Sequence, residues 1–262
     1  MPRNDVADAA ESYLNQVVLV TGSNGGIGAS MVDAYAQAGA IVIGADLAGD
    51  VPDAAAAYFD LDVTDEVAVA AVIADVIARF GRIDALVHAA GVLGETPHPL
   101  ETSTAEFQRI MTINATGTFT IVRETAQAML HADTKGTILL FSSVAAKEGR
   151  TTYLPYNASK IAVLHIMWSM AQILGPSGIS VNAITPGPVE TNMWAQLADA
   201  SGATVDAAAR AREKRAAQLP MQRFARPDEV ANAALFLTDP RNRYITGVSL
   251  DVAGGAHLGM GS

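Results

Sequence analysis

Val17–Thr21 (VVLVT) runs straight into Gly22-Ser23-Asn24-Gly25-Gly26-Ile27-Gly28, and this junction restricts the fold more than any other stretch of the chain. Five apolar or β-branched residues without polar alternation suit a strand buried on both faces, the habit of parallel sheets. Glycines directly after such a strand let the backbone turn sharply into a helix. The helical pattern continues to about Ala38, and Gly39 stops it. Strand, glycine turn and helix in that order predict the first βα unit of an α/β sheet.

The same alternation recurs along the chain. Residues 40–46 (AIVIGAD) read as a second strand and 58–63 as a short third. A long helix follows, with Thr64 as its cap, Asp65 and Glu66 at its positive end and Gly81 as its stop. Within it Val69, Val72, Ile73, Val76, Ile77 and Phe80 make one apolar stripe. Further strands are predicted at 84–89, 137–142, 179–185 and 248–252, and helices at about 103–131, 156–174 and 227–237. The Ala-rich stretches 53–57 and 206–211 read as helical. This alternation predicts a doubly wound, parallel, seven-stranded α/β sheet with helices on both faces. No repeat, low-complexity tract or linker divides the chain, so residues 1–262 are read as a single domain.

Composition narrows the function classes. Half of the 262 residues are hydrophobic, which supplies a large core, and the net charge of −10 argues against a nucleic-acid or anionic-membrane partner. With no cysteine, disulfides, zinc ribbons, iron–sulfur clusters and thiol nucleophiles are excluded. The five histidines show no metal-ligand spacing. The N-terminus lacks the apolar stretch of a signal peptide, and no run reaches the ~18 apolar residues of a membrane span. A cytoplasmic protein is expected.

The glycine turn points to a ligand, because a helix N-terminus reached through glycines meets the charge of a pyrophosphate. Asp46 closes the second strand 24 positions after Gly22, where a carboxylate can accept hydrogen bonds from both ribose hydroxyls of an adenosine. It would repel a 2′-phosphate, and no Lys or Arg lies between Gly22 and Asp46 to offset it, so NAD is favoured over NADP. Tyr156 and Lys160 stand four apart on one face of a helix. A neighbouring cation favours the phenolate, so Tyr156 is expected to have a lowered pKa and to exchange a proton with an alcohol or ketone.

Together these residues resemble the short-chain dehydrogenase/reductase family, classical type. The resemblance rests on the Thr21-Gly22 turn ending in Gly26-Ile27-Gly28, Asp46, Asp62-Val63, His88-Ala89-Ala90-Gly91, Asn114, Ser143, the Tyr156/Lys160 pair, Pro186-Gly187 and Thr246-Gly247. It spans about residues 14–257. It implies one Rossmann domain with strand order 3-2-1-4-5-6-7. It also implies that Tyr156 is the general acid/base, that Lys160 lowers its pKa and holds the nicotinamide ribose, that Ser143 bonds the substrate oxygen and that Asn114 holds a relay water. Gly22, Ser23, Asn24, Gly26 and Ile27 would form the pyrophosphate turn, Asp46 the ribose contact, and Asp62 and Val63 the adenine contacts. Pro186, Gly187, Val189 and Thr191 would line the nicotinamide side, with Leu47, His88, Ala89 and Gly91 also among the cofactor-binding positions. Many members carry Asn where this chain has His88, whose imidazole is read as a structural bond to a neighbouring strand.

The substrate pocket is read as Ser143, Ala145, Tyr153, Tyr156, Met193 and Trp194, with Leu93, Gly94, Val144, Leu154 and Leu197 beside them. These suit a hydrophobic secondary alcohol or ketone. Arg150 is also a pocket candidate that could contact a polar substituent, although an exposed loop arginine is the favoured reading. The alternative activity is a carbonyl or 3-oxoacyl thioester reductase, disfavoured because an acidic chain repels an acidic carrier. A non-catalytic cofactor sensor is disfavoured because all four catalytic positions are present. Residues 188–226 read as a lid. The stretch 161–174 is apolar nearly all round, which fits the homotetramer that the resemblance implies.

Overall fold

The computed structural model describes residues 12–47, 49–95, 98–191 and 205–258. Seven parallel strands form one sheet in the order β3-β2-β1-β4-β5-β6-β7: β1 (Val17–Thr21), β2 (Ile41–Asp46), β3 (Ala57–Asp60), β4 (Ala85–His88), β5 (Thr137–Phe141), β6 (Ser180–Pro186) and β7 (Ser249–Val252). The helices are α1 (Gly26–Gln37), α2 (Glu66–Phe80), α3 (Thr104–Met111), α4 (Gly117–His131), α5 (Leu154–Leu174), α6 (Val205–Ala217) and α7 (Pro227–Thr238). Every residue of β1, β4, β5 and β6 is buried, as expected of strands covered on both faces. One apolar core joins the sheet to α2, α4 and α5. A second joins its other face to α1 and α7.

Strand order reverses between β1 and β4, so the chain leaves those two strands in opposite directions and opens a crevice at their carboxyl ends. The β1 register, Val17 to Thr21 beside Ile41 to Ala45, brings Gly22 and Asp46 to the same edge of the sheet.

Four local expectations are corrected. Asp65, not Thr64, caps α2: its carboxylate accepts from the N–H groups of Val67 and Ala68, while Thr64 is itself bonded to Asp62. The stretch 53–57 is not helical, because Ala56 N–H bonds to Val42 carbonyl and Ala57 enters β3 opposite Ile43. Five residues are too few to hold a helix against such a ladder. The predicted helix over 103–131 is two helices joined by a π-turn at Thr112–Thr116. Helix α5 begins at Leu154, after Tyr153 takes a left-handed conformation (φ 53°) and before Pro155 in the first turn.

Candidate active site

A continuous cavity of about 1080 Å³ occupies the crevice, running from Asp46 and Asp62 past the glycine turn to Ser143, Tyr156 and Lys160. The turn is built for a close approach. Gly22 has φ 71°, and a Cβ there would come within 2.6 Å of Ala90 N, so only glycine lets the two loops meet. A Cβ on Gly28 would fall 1.9 Å from Gly22 O. Gly25, the N-cap of α1, supplies no side-chain cap, and the first turn of the helix carries no acid. Its first N–H groups and its positive end are therefore left for a ligand anion. Gly22, Asn24, Gly26 and Ile27 line the cavity, with Thr191 packed against Gly26. Ser23 does not line it; that side chain is buried beside Gly44.

Asp46 is fixed from both sides. Its Oδ2 accepts from Asn24 N–H at 2.8 Å and its Oδ1 from Leu47 N–H at 2.8 Å, which holds a charged carboxylate on the cavity wall beside Leu47. Tyr58 supports this corner and was not anticipated from the sequence. Its hydroxyl accepts from Asn24 Nδ2 at 2.9 Å and donates to Leu47 O at 3.0 Å. Asp62 and Val63 also line this end, the Asp62 carboxylate accepting from Thr64 N–H and hydroxyl.

At the other end, α5 carries Tyr156 and Lys160 into the cavity. Lys160 Nζ donates to Phe141 O at 2.9 Å and sits 5.6 Å from the centre of the Tyr156 ring. Burial lowers its pKa to about 8. The Tyr156 phenol is held above its ordinary value, chiefly by desolvation, against the opposing hydrogen bond from Ser143 and the charge of Arg150. Burial thus sets the direction of the Tyr156 shift, while the Lys160 ammonium donates to a backbone carbonyl. Ser143 caps the short turn Val144–Ala146, which fixes its hydroxyl on the cavity wall.

Asn114 lies on the π-turn and is fully buried. Its carboxamide accepts from Val92 N–H and donates to Val92 O, each at 2.8 Å, and donates to Ser159 Oγ at 2.9 Å. These bonds clamp the loop after β4 to α5. Asn114 remains beside Lys160: a Cβ on Gly91 would meet Asn114 Oδ1 and Lys160 Nζ, each at 3.2 Å. His88 points away from the cavity and bonds Thr21 and Thr118 in the interior. Ala89 and Gly91 line the cavity, as do Pro186, Gly187 and Val189.

Among the expected pocket residues, Leu93, Val144, Ala145 and Tyr153 line the wall, while Gly94 and Leu154 do not. Met193, Trp194 and Leu197 lie outside the described residues, as does the middle of the expected lid. Arg150 is not an exposed loop residue: it lines the cavity, and its Nε is buried. Arg215 of α6 lines the same end and carried no sequence signal, being one of several arginines on a polar helix.

The cavity accommodates a nicotinamide dinucleotide: a glycine cradle and an open helix start for the diphosphate, a fixed carboxylate at one end, and a tyrosine–lysine pair at the other. The sequence matches the family described as Enoyl-(Acyl carrier protein) reductase over residues 22–257. It is 35% identical over 258 residues to L-fucose dehydrogenase of Bos taurus, covering 95% of this chain and 92% of that protein. It is 34% identical to cis-4-hydroxycyclohexanecarboxylate dehydrogenase of Sinomonas cyclohexanicum, covering 94% of this chain and 98% of that one. The ligand-free structure of Thermoplasma acidophilum aldohexose dehydrogenase superposes with a TM-score of 0.85 at 28% identity, covering 94% of this chain and 96% of that one. No helix among the described residues is long and apolar enough to cross a membrane. The cleft, the strand order and these likenesses converge: the chain belongs to the short-chain dehydrogenase/reductase family and is a nicotinamide-dependent oxidoreductase acting on CH–OH donors.

Proposed function

We propose that this chain is an NAD-dependent dehydrogenase that oxidises a small secondary alcohol to its ketone, with Tyr156 as general base. The observation that carries the reading is the presence of Ser143, Tyr156 and Lys160 in the same cavity as Asp46. The nicotinamide ring, when bound, supplies the hydride acceptor. Ser143 holds the substrate oxygen, and Tyr156 takes its proton as the carbon–hydrogen bond gives up hydride. Lys160 stands beside the phenol, and its positive charge favours the phenolate that forms. Asp46 bonds the adenosine ribose, and no cationic lining residue stands next to it to receive a 2′-phosphate: Lys160, Arg150 and Arg215 follow β5 or β6, and Arg109 is paired with Glu106. This supports NAD over NADP, and the oxidised state in which cells usually keep NAD supports alcohol oxidation.

The named relatives act on a deoxy sugar and on an alicyclic hydroxy acid, so the family likeness supports a ring-bearing secondary alcohol. Absorbance at 340 nm, followed with L-fucose, sorbitol, cyclohexanol and 4-hydroxycyclohexanecarboxylate and with NAD and NADP side by side, tests it. Reduction of NAD by any of them is expected. Clearly better kinetics with NADPH and a ketone or thioester would replace this reading with the reductase one. The outer face of α5 exposes Ile161, Trp168 and Ile173 at 51%, 45% and 66%, which supports assembly with further copies, to be checked by light scattering.

A further inference from the structure

The charged residues of the cavity wall are segregated. The acidic ones are Asp46 and Asp62, which follow β2 and β3. Across the switch point, beyond β5 and β6, the basic lining side chains are Arg150, Arg215 and the buried Lys160, and among the described residues no carboxylate lines that end. That is unexpected in a chain of net charge −10. It is not an artefact of surface lysines, since Arg150 is half-buried and its Nε has no partner in the protein.

We infer that the substrate carries an anionic group, a carboxylate or sulfonate, which binds at Arg150 with Arg215 beside it. The proposal rests on the dehydrogenase reading above and specifies the substrate class of the same site. Arg150 presents a fork of donors, of which Glu148 engages Nη2. Its Nε–H is buried and has no partner in the protein, so Glu148 does not satisfy the whole donor fork. Arg150 lines the same cavity as Tyr156, and its charge lowers the phenol's pKa against the larger effect of burial. Arg215 lines the same wall, where burial and then the charge of Arg150 lower its pKa and Glu148 partly offsets them. Planar bidentate recognition of this kind is what a guanidinium does well. The alcohol end then faces Ser143 and Tyr156, and the apolar span between meets Val144, Ala145 and Tyr153. The pocket is thus read as selecting a hydroxy acid rather than a wholly apolar alcohol.

The test is competition at the enzyme–NADH complex. Cyclohexanecarboxylate, cyclohexanesulfonate and the neutral cyclohexanecarboxamide are titrated against NADH fluorescence, with wild type and Arg150→Met compared. At least one anion is expected to bind about ten- to a hundredfold tighter than the amide, as a charge-assisted bond implies. In Arg150→Met that preference is expected to fall below about threefold, and in Arg150→Lys to be partly kept. NADH binding by each variant reports that it is folded, and the wild-type comparison needs no variant. Amide and anions binding equally to wild type, or a preference unchanged in Arg150→Met, would overturn the inference. If no alcohol in the panel reduces NAD, the dehydrogenase reading fails, while the binding comparison still decides this one.

Discussion

His88 Nε2 lies 2.9 Å from Thr118 Oγ1, and this bond fixes the state of a buried chain. Thr118 spends its one proton on Asn114 O at 2.6 Å, so it must accept from the imidazole. His88 is therefore protonated on Nε2, and its Nδ1 accepts from the Thr21 hydroxyl at 2.6 Å. The chain Thr21–His88–Thr118–Asn114 ties β1 and β4 to the π-turn behind Lys160. The imidazole thus reaches from one strand across to a helix.

Stability should carry the mark of this imidazole. Burial and Lys160 push the His88 pKa down to about 3, so the folded protein keeps it neutral where the unfolded chain takes up a proton. The unfolded state then binds more protons as pH falls below about 6.5, and stability drops. From pH 7 to pH 5 His88 should remove about 2 kcal/mol. Urea unfolding at the two pH values measures it. His88→Asn should lower stability at pH 7 and lose that part of the pH slope; an equal slope in both proteins would show that His88 is not held neutral.

The phenol of Tyr156 starts above its ordinary pKa, so alcohol oxidation must gain from every step that makes it a base. The rate of NAD reduction is expected to rise from neutral to alkaline pH, and ketone reduction to fall over the same range. Tyr156→Phe should cut turnover by about 10²–10⁴-fold while NADH still binds, which fluorescence titration checks. Undiminished turnover would remove Tyr156 from the mechanism.

The proposed preference for NAD rests on the charge of Asp46. A carboxylate about 4 Å from a 2′-phosphate costs roughly 4 kcal/mol at an intermediate dielectric. Asp46→Ser should therefore shift the NADP-to-NAD ratio of kcat/KM towards NADP by at least about tenfold. Because the same carboxylate holds Asn24 N–H, NAD binding should weaken as well. A ratio that does not move would place the adenosine contact elsewhere.

The first strand, Val17–Thr21, is legible residue for residue, because an unbroken β-branched run before glycines has few other folds open to it. Spacing likewise brings Asp46, Ser143, Tyr156 and Lys160 into one cavity, since βα units deliver strand ends to a common edge. The π-turn at Thr112–Thr116 is not legible: no Gly or Pro marks its start, and helical periodicity runs through it. The place of Arg150 is legible only as one of two readings, a pocket residue or an exposed loop arginine. Near Glu148 in a loop the solvent-facing reading is favoured, and the structure instead puts it on the cavity wall. The direction of the Tyr156 shift also needs the structure, because burial and charge oppose each other and sequence reports only the charge.

Asn114 carries two jobs that substitution should separate. Its carboxamide makes three bonds, two to the Val92 backbone and one to Ser159, all beside Lys160. Asn114→Ala leaves the Val92 N–H and carbonyl without that partner in the interior, which should cost about 2–4 kcal/mol of stability. The loop after β4, including Gly91, is then no longer held against α5, so Lys160 loses a neighbour that confines it. Turnover should fall more than NADH affinity, because the glycine turn and Asp46 lie at the other end of the cavity. Denaturation and NADH titration on the one variant read both quantities. Equal losses in turnover and affinity would mean that Asn114 supports the cleft as a whole and not the catalytic end.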